Sequence, residues 1–115
     1  MSYSLKELEG RLLRFHKGEN TFEEVQTVGE ADGVSFLCPK CYAANGGAAG
    51  THSVPLWFSS LGEARSRQLQ GHPGWNKSGK SLDDLTFVKP GAVSVLLKSG
   101  CCWHGFVRDG RATLS

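Results

Sequence analysis

Two short turns that carry cysteine constrain this chain more than any other feature of its sequence. Cys38 and Cys41 are separated by two residues, and Cys101 and His104 repeat that spacing about sixty residues later. Each turn can direct two soft ligands toward one ion, and two such turns complete the tetrahedral set that Zn²⁺ prefers. The spacing therefore predicts a zinc site whose ligands are Cys38, Cys41, Cys101 and His104.

This ligand set leaves two alternatives open. Cys102 adjoins Cys101, but a turn from Cys102 to His104 would be tighter, so we expect Cys102 to be a small buried residue or a thiol beside the site. His52 could instead replace one cysteine and leave an open coordination position, as in catalytic zinc sites. Four protein ligands make a site structural, and the chain lacks the His-x-Glu with which zinc deaminases move protons. The sequence therefore favours a non-enzymatic protein with a structural Zn²⁺.

The composition predicts one small domain, residues 1–115, that is mainly β (α+β). A chain of 115 residues can bury a modest core, and its 15 glycines indicate many turns. No apolar run is long enough to span a membrane, and the N-terminus lacks the features of a secretory signal. We therefore expect the protein in a reducing cytoplasm, where cysteines are metal ligands or free thiols more often than disulfides.

The charge distribution is compatible with binding to a nucleic acid but does not by itself indicate it. Residues 1–33 contain four basic and seven acidic side chains, and residues 34–115 contain nine basic and four acidic ones. The sequence pI of about 8.4 is below the value above about 9 that is typical of a dedicated nucleic-acid-binding domain. The alternative function is a zinc-ribbon-like nucleic-acid-binding protein, whose contacts would be Lys77, Lys80, Lys89, Lys98, Arg108 and Arg111.

A helix is predicted within residues 1–20. Ser4 and Glu7 form a capping box, in which the Ser4 hydroxyl accepts the Glu7 amide. Gly18 is a plausible stop. Apolar side chains follow the cap at helical spacing, namely Leu5, Leu8, Leu12 and Phe15. This apolar face should cover the zinc-clamped β region, residues 33–115.

Strands dominate the predicted structure of that region, as a small antiparallel sheet with zinc-knuckle turns. Pro55 indicates that its strand either lies at a sheet edge or contains a bulge, because proline cannot donate to the hydrogen-bond ladder. The pair Asp109-Gly110 between two β-prone runs is a strong hairpin signal. The predicted strands are 33–37, 51–58, 85–88, 92–97, 105–108 and 111–114, and residues 60–71 could form a short helix.

A second candidate site combines aromatic and polar side chains near the predicted strand ends. Aromatic walls with a few convergent polar groups form pockets for small molecules or peptides. The alternative is that the tryptophans belong to the core and that the polar groups satisfy turn amides. The candidate ligand-binding residues are His52, Ser53, Trp57, Trp75, Asp84, Ser94 and Trp103.

Four motifs resemble a small family of phage and prophage proteins with paired zinc knuckles. The motifs lie at residues 36–41, 50–53, 81–86 and 103–106, and the resemblance covers roughly residues 30–112. In relatives the second knuckle is usually Cys-Gly-x-His, which maps the ligand onto Cys101 and puts Cys102 at the glycine position. The resemblance implies a bacteriophage accessory protein in the bacterial host cytoplasm that engages a protein partner or small ligand, and it implies no catalytic residues.

Overall fold

The computed structural model describes residues 2–16, 21–89, 93–97 and 101–114. Within these ranges the chain is mainly β, as predicted, with ten strands and two short α-helices. The strands are β1 Ser2–Ser4, β2 Arg11–His16, β3 Thr21–Val25, β4 Gly33–Leu37, β5 Ser53–Trp57, β6 Asn76–Ser78, β7 Thr86–Val88, β8 Ser94–Leu96, β9 His104–Arg108 and β10 Arg111–Thr113. The helices are α1 Pro39–Asn45 and α2 Glu63–Gln70, and 3₁₀ turns span Val28–Glu30 and Ser59–Leu61.

The strands form two four-stranded antiparallel sheets and one hairpin. We call the sheet with the order β3-β2-β4-β5 the central sheet, and the sheet with the order β1-β10-β9-β8 the terminal sheet. The terminal sheet joins the two ends of the chain, since Ser2 pairs with Thr113. Strands β6 and β7 pair separately. Strands β5 and β8 are therefore edge strands of different sheets.

The predicted hairpin at Asp109-Gly110 is confirmed. Strands β9 and β10 pair with Arg108 opposite Arg111. The two turn residues have φ angles of 51° and 73°, which is the left-handed backbone that a tight hairpin turn requires. Local turn chemistry was sufficient to locate this element.

The predicted N-terminal helix is absent from residues 2–16, and residues 17–20 lie outside the described ranges. The capping contact does form, because the Glu7 amide donates to Ser4 Oγ at 3.0 Å. It supports only one turn: Glu9 adopts a φ of 56°, and the Gly10 amide donates to the Leu5 carbonyl at 2.7 Å. A Cβ at Gly10 would lie 2.6 Å from that oxygen, so glycine permits the close turn that leads into β2.

The apolar residues of the expected helix nevertheless belong to the core. Leu5 and Leu8 in the turn are fully buried, and Leu12 on β2 is 2% exposed. Strand pairing explains the difference, because Leu12 lies between Val25 of β3 and Val34 of β4. Apolar spacing thus identified the buried residues but not the backbone that carries them.

The two sheets share one core. Phe36 of β4 and Trp103, just before β9, meet edge to face with ring centroids 5.8 Å apart, and both are buried. The indole of Trp103 donates to the Thr113 carbonyl at 3.0 Å, which satisfies its polar group. Burying one such ring stabilises the fold by roughly 2–3 kcal/mol. The contact also brings Cys38, two residues after Phe36, close to the chain around residue 101.

Candidate metal centre

Four side chains bring soft donor atoms together at the junction of the two sheets. The donor atoms of Cys38, Cys41, His52 and Cys101 all lie within 4.8 Å of one another. Cys101 Sγ is 3.4 Å from Cys38 Sγ and 3.4 Å from His52 Nε2. In a tetrahedral site with metal–sulfur bonds of about 2.3 Å, ligand atoms are about 3.8 Å apart. The donor set and its spacing therefore fit a single bound metal ion.

The first cysteine turn lies where β4 passes into α1. Cys38 is the residue that precedes the helix, and Pro39 begins it with the backbone angle that a first helical residue needs. Cys41 follows three residues after Cys38, which places both side chains on one side of the first turn. The backbone amides of Lys40 and Cys41 lie at the start of the helix beside the Cys38 sulfur and favour its charged form, although neither makes a capping hydrogen bond to it. Negative charge on that sulfur is thus stabilised by the turn itself.

His52 reaches the cluster through strand pairing with Cys38. The Cys38 amide donates to the His52 carbonyl at 2.9 Å, so the two residues lie opposite each other at the end of the β4–β5 ladder. The imidazole is exposed, and its Nε2 approaches Cys101. The β4–α1–β5 unit therefore supplies three of the four donors.

Cys101 supplies the fourth donor from the segment between β8 and β9 of the terminal sheet. Lys40 Nζ donates to the Cys101 carbonyl at 2.6 Å, so a positive charge lies beside the sulfur cluster. A metal ion bound here would connect the central sheet to the terminal sheet across 63 residues of sequence. A cross-link over so long a loop removes much conformational freedom from the unfolded chain.

The thiols differ in their acidity. Burial raises the pKa of Cys38 to about 12, although the nearby amides of Cys41 and Lys40 act to lower it. Burial also raises the pKa of Cys41. For Cys101 burial acts in the same direction, but hydrogen bonds with His52 and Cys38 outweigh it and lower its pKa to about 7. Without metal, Cys101 is therefore the thiol of this cluster that ionises near neutral pH.

The structure does not bring His104, the predicted fourth ligand, into the cluster. His104 is the first residue of β9, pairs with Leu96, and is exposed. Trp103 and Val107 are buried on one side of this strand, so alternation directs the His104 ring to the opposite side. His52, which the sequence left as an alternative, occupies the fourth place beside three cysteines. Cys102 has a left-handed φ of 56° and is exposed, so the first of its two expected roles, a small buried residue, is wrong, and the second, a thiol beside the site, stays a prediction.

The predicted ligand-binding residues separate into two groups. His52, Ser53 and Trp75 line a cavity of about 620 Å³ between β5 and β8, which we call the groove. Trp57 lies on the other side of β5, buried with Leu13 and Leu61. The other three predicted residues do not line the groove. Trp103 is in the core, and the Asp84 carboxylate accepts the amides of Lys80 and Ser81. Ser94 contributes its backbone carbonyl, which accepts the Trp75 indole.

The groove has a defined end opposite the metal centre. The indole of Trp75 donates to the Ser94 carbonyl at 2.9 Å, and its backbone amide donates to the Trp57 carbonyl, so this residue links β5 to β8. Its ring stacks on Phe87 with centroids 5.2 Å apart. The metal centre forms the other end, since His52 precedes β5 and Cys101 follows β8. Both ends of the groove are thus held by contacts between elements of different sheets.

Gln70 is a contributor to this region that sequence patterns did not indicate. Its side-chain Oε1 accepts the Trp57 amide at 3.0 Å, and its Nε2 donates to the Trp57 carbonyl at 3.1 Å. The carboxamide thus makes the two hydrogen bonds that a residue of a neighbouring strand would make. A glutamine in a polar helical segment has no sequence signal for this role.

Comparisons with protein-family models, with curated proteins and with solved structures gave no match to this chain. Among the residues that the structure describes, no helix combines the length and the apolar character that crossing a membrane needs. Interpretation of the site therefore depends on its own geometry.

Proposed function

We propose that this protein is a non-enzymatic, zinc-stabilised binding protein, in which Zn²⁺ fastens two sheets together and so shapes a ligand groove between their edges. The observation that supports this function is the origin of the four donors. Cys38, Cys41 and His52 belong to the central sheet and its following helix, and Cys101 belongs to the terminal sheet. The cluster lies at one end of the groove, which His52 also lines.

The donor chemistry selects zinc over harder ions. Three thiolates and one imidazole suit Zn²⁺, whereas Mg²⁺ and Ca²⁺ take oxygen ligands. Four protein ligands leave no open position on the ion, so its contribution is a cross-link and not a catalytic water. The ammonium group of Lys40, which contacts the Cys101 carbonyl, offsets part of the negative charge of three thiolates.

The groove supports a binding function by its size and lining. A volume of about 620 Å³ is within the range of about 300–1,000 Å³ that is typical of ligand sites. Its walls combine apolar side chains, including Val95 and Leu97, with the polar groups of Ser53 and Gln70. A few polar groups in an apolar cleft are the usual means of fixing a ligand's orientation.

The sequence motifs support a biological setting for this activity. Their resemblance to phage and prophage proteins leads us to propose a bacteriophage accessory protein that acts in the host cytoplasm on a host or phage partner. In this setting the groove is the contact site for the partner.

The first test is metal content. Protein purified without added metal should contain one zinc per chain, and cobalt substitution should give the absorption of a tetrahedral site rich in sulfur. His52→Ala should lose metal, whereas His104→Ala, a matched control on an exposed histidine outside the cluster, should retain it. Absence of zinc, or zinc that depends on His104 and not on His52, would overturn the proposal.

Nucleic-acid binding, the alternative from sequence, would have to use a surface other than the groove. Within the part of the chain that the structure describes, no lysine or arginine lines the groove. Of the basic residues named for it, Lys98 lies outside the described ranges. This alternative predicts affinity that falls steeply with salt concentration. Salt-insensitive or absent binding to DNA and RNA would eliminate it.

A further inference from the structure

We infer that the groove binds an extended, uncharged peptide segment, which adds as a strand to the open backbone edge of β5 between the metal centre and Trp75. The inference rests on the proposed function, because the zinc cross-link holds the two walls of the groove. It specifies what the proposed binding protein recognises: main-chain amides in an extended conformation.

The hydrogen-bond pattern of β5 shows which of its backbone groups face the groove edge. His52 and Phe58 are hydrogen-bonded to the β4 side, since the Cys38 amide donates to the His52 carbonyl and the Phe58 amide donates to the Asp32 carbonyl. The register keeps this pattern continuous, with Leu56 opposite Val34. In an antiparallel pair, hydrogen-bonded residues alternate with residues whose backbone groups point away.

Alternation therefore directs the amides and carbonyls of three residues, Ser53, Pro55 and Trp57, toward the open edge of β5. Gln70 occupies the edge at Trp57, where its carboxamide pairs with both backbone groups. Pro55 has a carbonyl but no amide hydrogen. Among the described residues, the backbone hydrogen bonds outside the strand ladders include none to the amide or carbonyl of Ser53 or to the carbonyl of Pro55, and the register turns these groups away from β4. Two acceptors and one donor are thus available to a guest strand.

The opposite wall has a similar edge. The Leu97 amide donates to the Trp103 carbonyl, and Val95 lies opposite Gly105. The backbone amides and carbonyls of Val95 and Leu97 therefore point toward β9. The backbone groups of Ser94 and Leu96 point away from β9, and the Ser94 carbonyl accepts the Trp75 indole. The Leu96 side chain, which lines the groove, is 57% exposed. An apolar side chain of a guest can cover it.

The lining of the groove limits the guest to uncharged side chains. The described residues around it include no aspartate, glutamate, lysine or arginine. A charged guest side chain would lose water here without gaining an opposite charge, which costs free energy. The open edge of β5 extends from Ser53 to Pro55, and at about 3.3 Å per residue it matches a guest core of roughly three to five residues.

The test starts from protein whose zinc content has been measured. A library of random heptapeptides, capped at both ends, is selected on the zinc-loaded protein, and an enriched peptide is synthesised for titration calorimetry. We expect enriched peptides with uncharged cores. Methylation of alternate peptide nitrogens should weaken binding by about tenfold or more, because each lost hydrogen bond costs about 0.5–1.5 kcal/mol.

Two variants and one control locate the binding edge. Ser53→Pro removes the amide hydrogen that points to the open edge, at a position whose backbone nitrogen faces the same way as that of Pro55. One lost hydrogen bond should weaken binding about fivefold to tenfold. Leu96→Asp puts a charge into the groove from an exposed position and should weaken binding at least as much. Leu69→Asp changes an exposed leucine of α2 outside the lining and should leave affinity unchanged. If Ser53→Pro does not fold, Leu96→Asp and the methylated peptides still decide the outcome.

Several results would overturn the inference while leaving the zinc proposal intact. These are no enrichment on zinc-loaded protein, enrichment of charged cores, or affinity that neither Ser53→Pro nor Leu96→Asp changes. A dimer in solution that Ser53→Pro dissociates would show that a second copy occupies the edge, and would also overturn it. Protein without zinc would instead refute the proposed function on which the inference rests.

Discussion

The two cysteine turns have the same spacing but differ in the structure that follows them. After Cys38 the chain enters a helix, and Cys41 returns to the same side three residues later. After Cys101 the chain passes through Cys102, which has a left-handed φ of 56°, and His104 then starts β9 on the side away from the core. Equal spacing therefore gives two candidate ligands in the first turn and one in the second. Spacing alone does not bring two side chains to one ion, because the backbone conformation between them decides where each side chain points.

A central comparison is between Cys38→Ser and Cys102→Ser. Cys38 is completely buried within the cluster, so its loss should remove zinc and lower the melting temperature by about 10 °C or more, as expected for a loss of about 3 kcal/mol. Cys102→Ser should retain one zinc per chain and a melting temperature within a few degrees of the parent. Scanning calorimetry with elemental analysis measures both, and equal losses in the two variants would contradict the assignment.

The two histidines allow a second comparison. His52→Ala should weaken zinc binding by about 100-fold or more, since second-shell changes alone cost about 10–100-fold. His104→Ala should change neither zinc affinity nor stability by more than about 0.5 kcal/mol, because the ring is an exposed surface group. Competition with a fluorescent zinc chelator measures the affinities. Weaker zinc binding by His104→Ala would show that His104 is a ligand.

Thiol reactivity distinguishes the two turns without mutation. In metal-free protein the Cys101 thiolate should form as pH rises through about 7, so its alkylation by iodoacetamide should increase from pH 6 to pH 8 and then level off. Cys38, with a pKa of about 12, should stay unreactive over this range. The lowered pKa of Cys101 contributes stability to the metal-free fold that is lost as pH falls through about 7, whereas the raised pKa values of Cys38 and Cys41 lower stability in alkaline solution. Peptide mass spectrometry gives the site-specific rates, and faster alkylation of Cys38 would contradict these pKa directions.

Cys102→Gly tests the backbone of the second turn and has the smallest expected effect. Cys102 has a φ of 56°, which costs a residue with a Cβ about 1 kcal/mol or more relative to glycine. We expect a gain of about 0.5–1 kcal/mol in the free energy of unfolding and unchanged zinc content. Urea denaturation measures it. A loss of stability would show that the thiol makes a contact that outweighs the strain.

Sequence patterns identified the β-rich fold, the hairpin at Asp109-Gly110 and the three cysteines that meet. These features depend on local chemistry or on residue types with few alternative roles. The patterns were wrong about the N-terminal helix, because pairing of Leu12 with strands on both sides overrode a genuine helical cap at Ser4. They also favoured His104 over His52, since the pairing of His52 with Cys38 depends on the register of two strands. Such tertiary pairing leaves no mark in local spacing.

The carboxamide of Gln70 has a consequence for how the protein behaves at high concentration. An uncovered strand edge is a template on which identical chains can stack into fibrils. By pairing with Trp57, this one side chain shortens the exposed template on β5, and Pro55 interrupts what is left of it. The edge is therefore too short and too irregular to propagate a repeating array, which separates the proposed recognition of a short guest from self-aggregation.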